Sequence, residues 1–495
     1  EGGGIYFYSG EVTMDSAQIT NNASENEGGG IYLVDNTTTL TISNSSITGN
    51  STEGGGGGIY NSSGTLDLTN VHVDGNSSNV GGGLYNNGHY SATLSTFNSN
   101  TASNDAGGIY SYGGSSEDDA DTLYQCTISF NQANNNGGGI YIDYNQDLYA
   151  VNTLISDNIA NHDENGNDYG GGILASTSWS AGYSDFINCT IANNRVDGDN
   201  GHGGGFRQDD GGNHRFTNTI IWHNQAANNP NIYGSYDHVT SNIEGDGTTL
   251  NTDPLFIDMY SGDYRLSDHS PSIGTGTLEG APTIDIDGNI RPQPDDTNPD
   301  MGAYENALGE RLVGATYYVS TAGSDSSNGL LTSPFNTIQR GVDAAWNGDT
   351  VIVYPGTYAG NVDYGDKSIV LASRILESGD ATYVDSTIIE GIVTIGNAAD
   401  STALFSGFTV TGDFTSRGLS VASNHNVMIE HIKVIGVGGV SFSSAVATMH
   451  DVVIKNNEHS SQGGGMYIFN STIDLVNVVI DSNVTSSNEG GGIYF

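Results

Sequence analysis

Apolar and polar residues along this chain alternate over runs of only a few positions, each bounded by Gly, Asn, Asp or Ser. The stretch from Glu27 to Asn50, EGGGIYLVDNTTTLTISNSSITGN, shows the pattern most plainly. Three glycines lead into Ile31-Tyr32, an alternating run covers Leu40 to Ser43, and Ser46-Ile47-Thr48 precedes Gly49-Asn50. Runs so short and so rich in β-branched residues predict strands rather than helices. A single set of such strands could not bury its apolar face. Stacked copies could, because each would hydrogen-bond to the turns above and below it and share one continuous core.

Copies are present. The Gly-Gly-(Gly)-apolar-Tyr element returns with its apolar residue at Ile5, Ile31, Ile59, Leu84, Ile109, Ile140, Ile173, Phe206, Met466 and Ile493. A second element, apolar-x-x-Asn, keeps step with it and ends at Asn22, Asn50, Asn76, Asn100, Asn131, Asn158, Asn194, Asn224, Asn457 and Asn483. Two landmarks share one irregular period, 25 residues from Ile59 to Leu84 and 33 from Ile140 to Ile173, and so define a solenoid. With no helical pattern inside it, that period predicts an all-β fold, a right-handed parallel β-helix. The fixed leucine spacing of leucine-rich repeats and the calcium-binding GGxGxDxUx nonapeptide are both missing.

The glycines suit turns of positive φ and tight backbone stacking. The asparagines can take left-handed conformations and hydrogen-bond to their equivalents one turn away. Alternation places Ile47, Val73, Phe97, Ile128, Ile155, Ile191 and Ile221 inward. It sends the tyrosines that follow the coil isoleucines, Tyr6, Tyr32, Tyr60, Tyr85, Tyr110, Tyr141, Tyr467 and Tyr494, outward. Such a row could be a carbohydrate-contacting strip, a lateral packing surface, or ring stacking between turns.

The chain order is unusual. Residues 1–250 carry eight regular coils, and from Asn251 to Glu305 both landmarks stop. There the sequence reads Asp253-Pro-Leu-Phe, Gly262-Asp-Tyr-Arg-Leu, Ser270-Pro-Ser-Ile-Gly and Asp287-Gly-Asn-Ile-Arg-Pro through Gly302-Ala-Tyr-Glu. These motifs resemble the closing segment of bacterial secreted β-helix proteins of the pectate-lyase-like superfamily, and the GGGIY and IxxN coils resemble polymorphic outer membrane protein repeats of surface-exposed autotransporters. From Tyr317, YYVSTAGSDSSNG and SPFNTIQRGVDAAWNGDTVIVYPGTY resemble the capping helix and first strands that open the same superfamily. Ser333 is a fit N-cap with Pro334 at the first helical position, and Phe335, Ile338, Val342 and Trp346 fall on one helical face that could cover the open end of a core. Strands are then predicted at Ile369 to Ala372, Ile388 to Ile395, Phe405 to Val410 and Val427 to Ile435, before the GGG coils resume at Gly463. This divides the chain into coils over 1–250, a cap and linker of the first β-helix over 251–312, and the start of a second β-helix over 313–495. Because EGGGIYF stands at both Glu1 and Glu489, the segment is expected to be one register of a longer tandem array or filament, partnered end to end by copies of itself.

Composition sharpens the functional reading. Lys+Arg 12 against Asp+Glu 57, a formal charge of −45, repels phosphate backbones and anionic lipid, which argues against nucleic-acid and membrane-surface roles. It suits a saline or calcium-containing exterior, although solubility alone would also explain it. No apolar run of transmembrane length is present in this segment. The two cysteines, Cys126 and Cys189, have matched settings with Thr153 in the intervening slot, so they should stand two turns apart, roughly 9.6 Å at ~4.8 Å per strand, beyond disulfide reach.

Two groupings could carry chemistry. Arg207, Asp209, Asp210, His214 and Arg215 gather acids and bases in one coil of a chain poor in cations, and polysaccharide lyases of the resembled fold use a Lys or Arg base beside calcium held by carboxylates; ion pairing on a solvated face explains the group as simply. Asp285, Asp287 and Asn289 place oxygens at alternate positions like the start of a calcium loop, without the later bidentate glutamate of an EF-hand. The reading is an extracellular or cell-surface structural or adhesive protein, a stalk or filament of β-helix repeats meeting polysaccharide or a surface ligand. The alternative is a secreted polysaccharide lyase or glycoside hydrolase acting on acidic polysaccharide.

Overall fold

The computed structural model describes residues 2–113, 120–144, 146–160, 169–176, 182–209, 211–396, 403–413, 416–422, 427–486 and 489–495. The chain divides into two compact units, Glu1–Met259 with Asp263–Arg311, and Leu312–Phe495 with Tyr260–Gly262. Both are built from parallel strands whose neighbours lie one coil away in sequence, which makes each a parallel β-helix.

In the first unit the apolar residue of each glycine element sits opposite its copy: Ile5 faces Ile31, Ile31 faces Ile59, and the column continues through Leu84, Ile109, Ile140, Ile173 and Phe206 to Ile232. A second column runs from Ile19 through Ile47, and from Phe97 through Ile128, Ile155, Ile191 and Ile221 to Ile243. The seven residues placed inward by alternation, Ile47 to Ile221, are all fully buried in one continuous core. The predicted break between Leu40–Ser43 and Ser46–Thr48 is a bend inside one strand, Thr38–Thr48, at Asn44 with φ +46°.

Glycine is needed for two different reasons. Gly28 has φ +64°, and a Cβ on Gly29 would meet the Gly57 and Ser51 carbonyl oxygens at 2.5 Å, so the coils could not approach to hydrogen-bonding distance. The asparagine column behaves as a ladder: Asn50 Nδ2 donates to Asn76 Oδ1 at 3.0 Å, Asn76 to Asn100 at 3.1 Å and Asn100 to Asn131 at 3.0 Å. The left-handed turn, however, falls on the preceding residue, at Asn21, Ser99, Phe130 and Asn193, while the ladder asparagines are absent from the positive-φ positions. Cys126, Thr153 and Cys189 form a buried column of free thiols and hydroxyl, each donating to a carbonyl of the coil before it: Ala92 at 3.3 Å, Leu123 at 3.5 Å and Ala150 at 3.4 Å.

Residues 252–259 and 263–305 run along the flank of the later coils, held by the corner amides. Gln125, Asn152, Asn188 and Asn218 donate side-chain N–H groups to the carbonyls of Asp285, Ile284, Asp300 and Thr277. Phe256, Tyr264, Leu266, Ile273 and Met301 pack there against Leu154, Ala192 and Ile220. The segment read as a closing cap is thus a covering on the side of the coil stack.

The second unit opens with the strand Thr316–Val319, paired to Thr350–Val353, Val370–Ser373, Leu404–Ser406, Val427–Glu430 and Val446–Lys455 in turn. Its helix, α1 (Ile338–Ala344), is shorter than the sequence suggests. Phe335 is extended, exchanging backbone hydrogen bonds with Tyr318 and Ser320, so Thr337 rather than Ser333 caps the helix, its side chain accepting from the Arg340 N–H. Ile338 and Val342 are buried, and Gly341 lies against Val319 and Val351, the covering role the apolar face implied. The predicted runs at 388–395, 405–410 and 427–435 each split into two strands around a corner. Two short helices between strands, α2 (Ile375–Ser378) and α3 (Thr382–Ser386), went unanticipated because neither is long enough to show a 3.6-residue period.

Candidate functional site

The acid–base group of the sequence reading separates onto different faces of one coil. Arg207 lies in Phe206–Gln208 of the glycine-element sheet, directly in line with Leu174 before it and Tyr233 after it. It therefore extends the tyrosine column Tyr6, Tyr32, Tyr60, Tyr85, Tyr110, Tyr141 by register. Its guanidinium carbon sits 3.3 Å from the Tyr169 ring centroid and 4.5 Å from that of Tyr233, and Nε pairs with Asp209 Oδ2 at 2.8 Å. The residue is 8% exposed, and its Nη1 meets no hydrogen-bond acceptor among the described residues. Beside it, burial and then the Arg207 charge lower the pKa of His202. An ion-paired guanidinium stacked between two rings ties the elements that carry them together.

His214 and Arg215 belong to the strand Asn213–Thr217, in a different sheet, and alternation turns them opposite ways. His214 points into the core with Nδ1 2.6 Å from Ser184 Oγ, both buried. Arg215 points out and pairs with Asp185 Oδ2 at 2.7 Å. Asp210 lies outside the described residues. Tyr169, Tyr233, Ser184 and Asp185 were missed by the sequence reading, and only the coil register places them beside these residues.

The tyrosine row is half-buried along most of its length, with Tyr6 the exposed member. Ring centroids are 5.4 Å apart from Tyr6 to Tyr32, 5.0 Å to Tyr60, 4.6 Å to Tyr85, 4.9 Å to Tyr110 and 5.2 Å to Tyr141. Tyr467 and Tyr494 stack at 5.7 Å in the second unit. Tyr60–Tyr85 and Tyr85–Tyr110 are stacked, Tyr6–Tyr32 and Tyr32–Tyr60 are tilted and Tyr110–Tyr141 meet edge to face, so the rings touch one another from coil to coil. Burial holds the phenols of Tyr60, Tyr85, Tyr110 and Tyr141 above their usual pKa range.

Asp285 is fully buried and accepts from the backbone N–H groups of Asp287, Asn289 and Glu305 and from Asn289 Nδ2 at 2.7 to 3.0 Å. Four donors leave its oxygens shaping the loop, with Asp287 and Asn289 exposed on the rim. Nearby, Arg291 pairs with Glu305 at 3.1 Å in full burial, and burial followed by Glu305 pushes Asp300 up to about 8. In the second unit a groove of about 530 Å³ is lined by Asn361, Glu390, Asp413 and the glycines Gly391, Gly412 and Gly418, with two carboxylates and no basic side chain among its described lining.

These columns define a parallel β-helix whose asparagine ladder and tyrosine column run from coil to coil. No family model matches the chain, and no curated protein matches it. Among solved structures it is similar to the PL6 family alginate lyase AlyGC, at 10% identity and a TM-score of 0.23 over 98% of this chain and 90% of that one. A mutant of AlyGC matches at 10% identity and a TM-score of 0.24 with the same coverage. At such TM-scores the likeness carries no argument, and the fold rests on the strand register. No helix among the described residues is long and apolar enough to cross a membrane.

Proposed function

We propose that this chain is an extracellular or cell-surface structural protein, a scaffold or adhesive stalk of β-helix coils. One observation carries the reading: the three basic residues of the group that could have been catalytic are each engaged in holding coils together. Arg207 is clamped between two rings, His214 is buried against Ser184, and Arg215 is paired with Asp185. The likeness of the GGGIY and IxxN coils to repeats of surface-exposed autotransporters belongs with this proposal. So does end-to-end partnering with copies of the same chain, since the strand edges of a parallel β-helix accept further strands.

A second reading, a polysaccharide lyase or glycoside hydrolase, is favoured by the groove with Glu390 and Asp413, two carboxylates open to solvent. AlyGC is an alginate lyase, an activity of this class, but its likeness to this chain is too low to argue from. The test is turnover of alginate, pectate and other acidic polysaccharides by the wild-type protein. The scaffold reading expects neither unsaturated uronate nor new reducing ends. Either product at enzymatic rates, abolished by Glu390→Gln or Asp413→Asn, establishes the second reading.

A further inference from the structure

One corner of the second unit gathers nitrogen and oxygen donors that neither reading uses. Successive coils turn there through His431, Asp451 and Asn477, with φ +50°, +56° and +54°. In the first unit the same corner between strands is held by amides such as Asn44 and Asn70, where Asn70 Nδ2 donates to Asn44 Oδ1. Replacing amides by imidazole and carboxylate turns a hydrogen-bond ladder into a ligand set. The backbone fixes the spacing, since the His431 N–H donates to the His450 carbonyl at 3.0 Å and His450 immediately precedes Asp451.

We propose that His431, His450 and Asp451 form a site for a divalent transition-metal ion of the zinc, cobalt or nickel class, tying successive coils together at this corner. Asp451 Oδ2 lies 3.1 Å from His450 Nδ1 and 3.6 Å from His431 Nδ1, and the three donor atoms fall within 4.8 Å of one another. Ligands about 2.0–2.1 Å from a tetrahedral ion stand roughly 3.4 Å apart, so both nitrogen–oxygen separations bracket the required value. The donor set selects the class of ion: two imidazoles and one carboxylate favour zinc-like ions over calcium or magnesium, which take oxygen. Asn477 Nδ2 donates to Asp451 Oδ1 at 3.0 Å, which orients the other oxygen toward the imidazoles. All three side chains are 36 to 40% exposed, leaving access for the ion and a coordinated water. Glu430, opposite His450 in the strand register, adds negative charge beside the site.

The experiment is calorimetric titration of the full chain, stripped with chelator, using zinc, cobalt and calcium ions separately. One zinc or cobalt ion should bind per chain, with a cobalt visible spectrum of nitrogen and oxygen ligation, and calcium should give no heat from this site. His431→Asn keeps a residue that the corner accepts elsewhere, and His450→Gln keeps an exposed strand position. Losing a ligand should weaken binding at least as much as losing an outer partner, which costs about 10- to 100-fold, and Asn477→Ala should weaken it about tenfold. No zinc uptake by wild type, or uptake of unchanged affinity in folded His431→Asn and His450→Gln, overturns the assignment; the latter would place the ion on other histidines.

Discussion

Replacing Asn100 by alanine tests whether the amide ladder, rather than apolar burial alone, holds adjacent coils in register. Asn100 is fully buried, and its side chain makes four hydrogen bonds. Oδ1 accepts from the Asn76 N–H at 2.9 Å and from Asn76 Nδ2 at 3.1 Å. Nδ2 donates to the Val73 carbonyl at 2.8 Å and to Asn131 Oδ1 at 3.0 Å. At about 1 kcal/mol for each buried hydrogen bond the loss is about 4 kcal/mol, because the alanine methyl replaces none of them. Exchange of the Asn76 amide hydrogen is the local readout, since its acceptor is removed. About 4 kcal/mol corresponds to roughly a thousandfold faster exchange through local opening. Asn70→Gly is the control: its amide donates to Asn44 at an exposed corner with φ +54°, so the loss should stay below about 1 kcal/mol. If Asn100→Ala leaves Asn76 exchange unchanged and shifts the urea midpoint no more than Asn70→Gly does, the ladder does not hold the coils.

Three further outcomes follow from buried groups. Burial pushes Asp121 up to about 8, as it does Asp300, so the folded chain keeps protons that the unfolded chain releases near pH 4. Stability should therefore fall as pH rises from about 4 to 8, by up to about 1.4 kcal/mol per pH unit for each group, and Asp121→Asn should make the slope shallower; an identical slope in that variant refutes the assignment. Burial pushes the thiols of Cys126 and Cys189 up to about 12, so a thiol reagent at neutral pH should label neither cysteine in the native protein and both in urea, and rapid native labelling would contradict the coil register. Asp285→Ala should lower the melting temperature equally in chelator and in millimolar calcium, because four donors already occupy the carboxylate; a loss seen only with calcium would restore it as a ligand.

Register was legible in the sequence because it is written twice per coil, once by the glycine element and once by the asparagine. The inward column Ile47 to Ile221 and the thiol column followed from those marks alone. What escaped was set by contacts distant in sequence. The spacing to Ile338 predicts a helical Phe335, but backbone hydrogen bonds with Tyr318 and Ser320 hold it extended in a bridge to Val319. The motifs after Asn251 predict an end cover, yet the corner amides from Gln125 to Asn218 bind this segment to the flank, about 60 to 160 residues away in sequence. The candidate site divided for a simpler reason. Neighbours such as His214 and Arg215 point to opposite faces of a strand, and Arg207 and His214 fall in different sheets.

Arg207 allows the scaffold account to be tested in one variant, because that account makes its guanidinium a clamp between coils, whereas a lyase built on the Arg207 acid–base group would need it for turnover. In Arg207→Leu the apolar volume is largely kept, while the stacking on Tyr169 and Tyr233 and the pairing with Asp209 are lost. The decisive measurement pairs urea unfolding of wild type and variant with turnover of alginate and pectate by both. The account predicts a destabilisation of about 2 kcal/mol, from desolvated cation–π contacts and a lost ion pair, with no turnover in either protein to lose. Unchanged stability together with a wild-type lyase activity that disappears in the variant would contradict it.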